Sequence, residues 1–141
     1  MLSANIEHLL PHVGAMRMIA AVLRWSDEDI ECVADSHRDP ANPLRIDGTL
    51  PAVCGLEYGA QAMALHGALV TGRDVKPRVG LLVAAHELVW RVARLDTISG
   101  ELIVRARRLL GSANQVAYEF DVLDTERSLV HGRASVMLDV A

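Results

Sequence analysis

From Leu50 to Leu69 the chain reads LPAVCGLEYGAQAMALHGAL. Small and apolar residues recur with no charged stripe, and Gly72 supplies a stop, so the stretch predicts one long helix over about 52–70. A helix without a polar face is normally buried on most of its sides. This one nonetheless carries a carboxylate, Glu57, close to its start. Glu is rarely buried without a partner, and burial raises a carboxyl pKa toward the range where it can exchange a proton at neutral pH. Gln61 follows four residues later on the same helical face and is placed to orient it.

The rest of the chain is mostly strand-like. Met16–Leu23 is apolar enough for a strand covered on both faces. Ile30, Cys32 and Ala34 alternate with polar residues. A loop punctuated by Pro40, Pro43, Gly48 and Pro51 leads into the helix. Val79–Val92 then reads as an apolar strand, and three period-two runs follow around Leu102–Arg107, Gln115–Val122 and Val130–Asp139. Hairpin turns are expected at Gly111–Asn114 and Asp124–Ser128. Asn5–Leu10 reads as a short helical turn ended by Pro11. The order is α+β: one thin helix, kept narrow by Gly55, Gly59, Ala60, Ala62, Ala64, Gly67 and Ala68, wrapped by a curved antiparallel sheet. Residues 1–141 are read as a single domain. Side-by-side pairing would hide the sheet's edges.

Several function classes lack support. Net charge is −4 and no basic stripe occurs, which argues against nucleic-acid binding. No apolar run reaches the roughly 20 residues of a membrane span, and no signal peptide is read at the N-terminus. Cys32 and Cys54 stand apart, suggesting a reducing, cytoplasmic setting. No HExxH, CxxC or phosphate-cradling glycine motif is present, so neither a metal nor a nucleotide is expected.

Three segments carry a resemblance: Leu10-Pro11-His12 before an apolar strand; Asn42-Pro43-Leu44 with Gly48; and Leu50-Pro51-Ala52 followed by Glu57 and Ala60-Gln61. Together they resemble the hotdog-fold β-hydroxyacyl-acyl-carrier-protein dehydratases, and more narrowly the dehydratase-like proteins of aryl-polyene clusters. The resemblance implies the hotdog fold and a substrate thioester on the phosphopantetheine arm of an acyl carrier protein, with no other cofactor. It also implies a homodimer, or a heterodimer with a related dehydratase. In that family a loop His removes the proton alpha to the thioester carbonyl, a helix carboxylate handles the leaving hydroxyl, and amides at the helix start polarise the thioester oxygen. These roles map to Glu57 for the carboxylate and to Ala52 and Val53 for the amides. Helix-start amides suit that role because they lack internal partners and sit at the positive end of the dipole.

One element departs from the pattern. The family's His lies between the NPF…G element and the helix, whereas here Gly48 runs directly into Thr49-Leu50-Pro51. His12 is the candidate replacement, and a loop His bonded to backbone is the plainer reading. For His37 the plainer account is an exposed residue beside Arg38 and Asp39. His66 reads as a packed helix residue, Cys54 as a small core residue and Tyr58 as core or interface packing. Asp47 is a turn former first and a replacement carboxylate second. The implied alternatives are an active dehydratase, a non-catalytic partner subunit that completes another chain's tunnel, and a thioesterase. With only Trp25, Trp90, Tyr58, Tyr118 and Phe120 as aromatics, an aliphatic acyl group is favoured.

Overall fold

The cleanest period-two run, Gln115–Asp124, forms a strand whose Val116, Tyr118, Phe120 and Val122 are buried, while the residues between them face away from the core. It lies inside a sheet described by a computed structural model covering residues 16–71, 80–112, 114–125 and 127–138. In chain order the strands are β1 (Ala21–Trp25), β2 (Asp29–Ala34), β3 (Gly80–Trp90), β4 (Leu102–Gly111), β5 (Gln115–Asp124) and β6 (Arg127–Leu138). They form one antiparallel six-stranded sheet, ordered β1-β2-β4-β5-β6-β3. A short 3₁₀ turn (Ala52–Cys54) runs into the helix α1 (Gly55–Thr71), which packs on the sheet's inner face. This is the hotdog arrangement. No helix among the described residues is long and apolar enough to cross a membrane.

Close approach explains the glycines on one side of α1. A Cβ on Gly59 would lie 2.6 Å from Phe120 Cδ2, and one on Gly55 would lie 3.0 Å from Val130 Cβ. The first distance is shorter than carbon atoms tolerate and the second is tight, so the sheet sits close against this side of the helix. Tyr58, Ala62, Leu65 and Met63 fill the same layer and are all buried.

Three expectations change. β1 begins at Ala21 rather than at Met16, because the Met18 amide donates to Gln61 Oε1 (2.7 Å) and docks the preceding segment on the helix. β1 also has one covered face, since Arg24 points outward. Most importantly, the sheet does not enclose α1. Val53 (48% exposed), Ala64, Gly67 and Thr71 are open and Glu57 and Ala60 half-buried, a stripe at three- and four-residue spacing. One curved sheet covers one side of a cylinder, so the apolar far side is left for another surface. The helical turn read at Asn5–Leu10 and the stop at Gly72 lie outside the described residues.

Candidate functional site

The helix start is held from outside by a neighbouring loop. The Leu95 amide donates to Leu50 O (2.8 Å), Leu50 N donates to Asp96 Oδ1 (2.9 Å) and Ala52 N donates to Ala93 O (3.0 Å). Arg94 grips the Asp96 carboxylate through Nε at 3.0 Å and through a second, closer contact from its Nη2. That hydrogen-bonded ion pair holds the Asp96 carboxyl well below the usual carboxylate range. The clamp fixes where α1 begins, and it narrows one expectation. The Ala52 amide is engaged by Ala93, so it is not a free donor in this chain. Among the described residues the Val53 N–H makes no backbone bond, and Val53 is open to its surroundings.

One turn on, Glu57 is half-buried on the open stripe. Gln61 is wholly buried, and its side chain has three partners: Nε2 donates to Glu57 Oε1 (3.0 Å) and to Met16 O (2.8 Å), while Oε1 accepts from Met18 N (2.7 Å). The same amide therefore aims the carboxylate and ties the segment before β1 to the helix. Val53 lies on the same stripe as Glu57, at the positive end of the helix. Chemically the pair offers a donor for a carbonyl oxygen and a group that can give or take a proton.

The described histidines lie elsewhere. His37 is fully buried rather than exposed: its Nε2–H donates to Ile98 O (3.0 Å), and the loop folds over it. His66 is a packed core residue, with Nε2 donating to Ser26 O (2.8 Å) and Nδ1 accepting from the Tyr118 hydroxyl (2.7 Å). His86 and His131 sit on β3 and β6. His12 lies outside the described residues. Burial, with a smaller contribution from the Glu57 charge, pushes the Cys54 thiol up, which suits a packing residue better than a nucleophile. Asp47 and Gly48 take positive φ angles of 51° and 78° in a two-residue turn closed by Ile46 and Thr49, so Asp47 is a turn former.

A polar network beside the site was not visible in the sequence. The Tyr58 hydroxyl meets Ser36 Oγ (2.8 Å) and Asn42 Nδ2 (3.3 Å), and Asn42 also donates to Ser36 O (2.9 Å). Asn42 belongs to the Asn-Pro-Leu motif, but nothing in the sequence marked Ser36. A cavity of about 740 Å³ opens on the sheet face turned away from α1, among Arg24, Arg105, Arg107, Glu119 and Arg133. It does not include Glu57. Its charges answer one another in the pairs Arg105–Glu31 (2.7 Å), Arg107–Glu119 (2.6 Å) and Arg24–Asp29 (3.1 Å). Among the described residues no three His, Cys, Asp or Glu side chains gather as a metal site.

Comparison with known proteins supplies the family. The model of the ApeP-like family, described as ApeP dehydratase, matches residues 4–139. The chain belongs to the ApeP-like dehydratase family. Among solved structures it is similar to the dehydratase heterocomplex ApeI:P from Xenorhabdus doucetiae (TM-score 0.80, 23% identity), over 94% of this chain and 90% of that one. It is also similar to a thioesterase from Haemophilus influenzae (TM-score 0.69, 12% identity), over 100% of this chain and 94% of that one. A third likeness is to AziG from S. sahachiroi (TM-score 0.66, 15% identity), over 92% of this chain and 97% of that one. At these identities the likenesses show the hotdog fold alone. No curated protein matches the sequence. Within the ApeP-like family, then, this member carries Val53 and Glu57 on one open stripe, with Glu57 held from beneath by the buried Gln61.

Proposed function

We propose that this chain is a dehydratase subunit that removes water from a 3-hydroxyacyl thioester carried on the phosphopantetheine arm of an acyl carrier protein. One observation carries the reading: a carboxylate aimed by a saturated glutamine, one helical turn from the Val53 amide, on a face that the described residues leave open. The Val53 N–H would donate to the thioester oxygen as negative charge develops there. A base would take the alpha proton. Glu57, as the acid, would protonate the hydroxyl as the carbon–oxygen bond breaks, releasing water and the unsaturated thioester. Fatty-acid or polyketide synthesis of the aryl-polyene type, in the cytoplasm, is the setting we assign.

A second chain supplies the rest of the site in this reading. The open stripe of α1 is apolar and small, and edge strand β3 ends in exposed Val89 and Trp90. Trp90 pairs with Val130, which abuts Gly55, so the open strand edge and the helix start adjoin. Pairing there would cover both, as a homodimer or with a related hotdog chain. The loop before the helix favours the related chain. From Pro43 to Pro51 it contains no His, and His37 is turned into Ile98. The proton-abstracting base then comes from the partner, or from His12.

The test is mass spectrometry of a 3-hydroxyacyl carrier protein incubated with the chain alone, and with a related hotdog chain that retains the loop His. Loss of one water only in the mixture, abolished by Glu57→Gln, supports the two-chain site. Water loss by the chain alone means that the chain supplies its own base. Water loss that survives Glu57→Gln sinks the role of Glu57. Release of the acyl group itself makes the chain a thioesterase.

A further inference from the structure

The loop between β2 and α1 is folded around one buried histidine. His37 has no exposed surface, and its ring bonds through Nε2–H to Ile98 O, with the Gly100 backbone also facing it and favouring the protonated ring. That bond joins the loop to the 94–100 segment, the same segment that clamps the start of α1. With the proton on Nε2, Nδ1 is the bare acceptor nitrogen, and it is buried without a partner. The backbone carbonyl of His37 receives Arg45 Nη2 (3.0 Å), and Arg45 Nη1 holds Gly48 O (2.8 Å). One histidine thus anchors both ends of the loop, through its ring and through its carbonyl.

Neutral His37 fits this site and the cation does not. A proton on Nδ1 would turn a buried nitrogen that now has no hydrogen-bond partner into a charged donor, beside two positive neighbours, Arg38 in sequence and Arg45 across the loop. Opposing them are Asp35, two residues before, and Asp96 on the packed segment. Asp96 is already gripped by Arg94 and lies 4.0 Å from Arg45. From α1 the facing group is the Tyr58 hydroxyl, which reaches the loop through Ser36 rather than through the ring.

We infer that His37 is an acid-sensitive latch, holding the Ser36–Thr49 loop against the start of α1 while neutral and releasing it when protonated. Burial draws the affinity of this ring for a proton below that of a free imidazole. The docked loop therefore excludes the proton that the undocked loop accepts. Below about pH 6.5 docking weakens by up to about tenfold per pH unit, the limit for one linked proton. The loop runs straight into Leu50-Pro51-Ala52, so release loosens the clamp that sets the Val53 amide and, beyond it, Glu57. Loop docking is a property of the fold and holds whatever reaction the site performs.

Amide hydrogen exchange on the full chain tests this, read from about pH 8 to about pH 5 and corrected for intrinsic rates. The reporting amides are Asp39, Asn42, Arg45 and Thr49, each bonded within the loop, against amides of β4 and β5 as reference. The latch requires loop protection to fall below about pH 6.5 while the strands hold, and to become pH-independent in His37→Gln. Protection that is flat in the wild type overturns it. So does loss shared equally with the strands, or pH dependence that survives in His37→Gln. If that variant fails to fold, the wild-type His37 ring is titrated by nitrogen NMR. A ring midpoint shared with the loop amides sustains the latch, and a ring that titrates while those amides stay unmoved refutes it.

Discussion

The two long faces of α1 are built from the same kinds of residue and are used in opposite ways. On the inner face, Phe120 leaves no room for a Cβ at Gly59, and Val130 leaves little at Gly55. On the outer face, Gly67 has nothing within 4 Å of where its Cβ would stand, and Ala64 is open. Smallness inside is a packing requirement met within one chain. Smallness outside has no cause among the described residues, and Glu57 lies on that side. The contrast teaches that composition marks a helix for close approach on all sides without saying whose surface approaches.

The sharpest way to break the comparison is at Glu57. If the outer face is chemical, Glu57→Gln lowers turnover of the active assembly by about 10²–10⁴-fold, the usual worth of a positioned acid or base. Stability changes little, because the residue is half-buried and the amide can still meet Gln61. Steady-state kinetics beside thermal melting checks both halves. A variant that melts early would make Glu57 a structural residue and remove the distinction between the faces.

Gly59→Ala probes the inner face. The added methyl meets the Phe120 ring, so ring or helix must shift, at a cost of about 1–3 kcal/mol. Urea unfolding should show a lower midpoint with an unchanged slope. An unchanged midpoint would mean that the helix and sheet are not in fixed contact there.

Acid should unsettle the inner side before the outer. His66 on α1 is buried and neutral between Tyr118 and Ser26, and burial lowers its pKa below the free value of about 6.5. Below that value the unfolded chain binds more protons than the folded one. The stability contributed is therefore fully present above about pH 6.5 and is lost as the pH falls toward the folded pKa. The slope reaches at most about 1.4 kcal/mol per pH unit for each such histidine. His37 has the same sign. Melting curves from about pH 8 to about pH 5 check this, and His66→Gln should flatten part of the slope. An unchanged slope would assign the acid sensitivity to other groups.

What could be read in advance follows the same division. The strands β4, β5 and β6 were legible because one covered face imposes period two on Leu102–Ala106, Val116–Val122 and Val130–Ala134. Glu57 and Gln61 were legible because four-residue spacing places them on one helical face. The commitment of the Ala52 amide to Ala93 was not, since that bond spans 41 residues of chain and leaves no local pattern. The burial of His37 was hidden for the same reason: polar neighbours in sequence suggested solvent, while its cover comes from Ile98 and the folded loop. The late start of β1 depends on Gln61 capturing the Met18 amide, another distant contact. The open side of α1 was misread because a helix without a polar stripe looks the same whether a sheet or a second chain covers it.

The smallest expected effect discriminates most between the faces. Gly67→Ala places a methyl in open space in the single chain and replaces the more flexible residue within a helix. The isolated chain should therefore gain about 0.5–1 kcal/mol, opposite in sign to Gly59→Ala at a position only two turns away. In the assembled protein the sign depends on what lies opposite. A partner packed tightly on the stripe turns the gain into a weaker association, which dilution monitored by analytical ultracentrifugation would detect. A gain that survives assembly would leave Gly67 facing solvent and confine the partner's contact to Val53, Glu57 and Ala60. Pairing Gly67→Ala with the bulkier Gly67→Leu separates these cases: the leucine should abolish association if the stripe is covered, and leave it unchanged if solvent lies there.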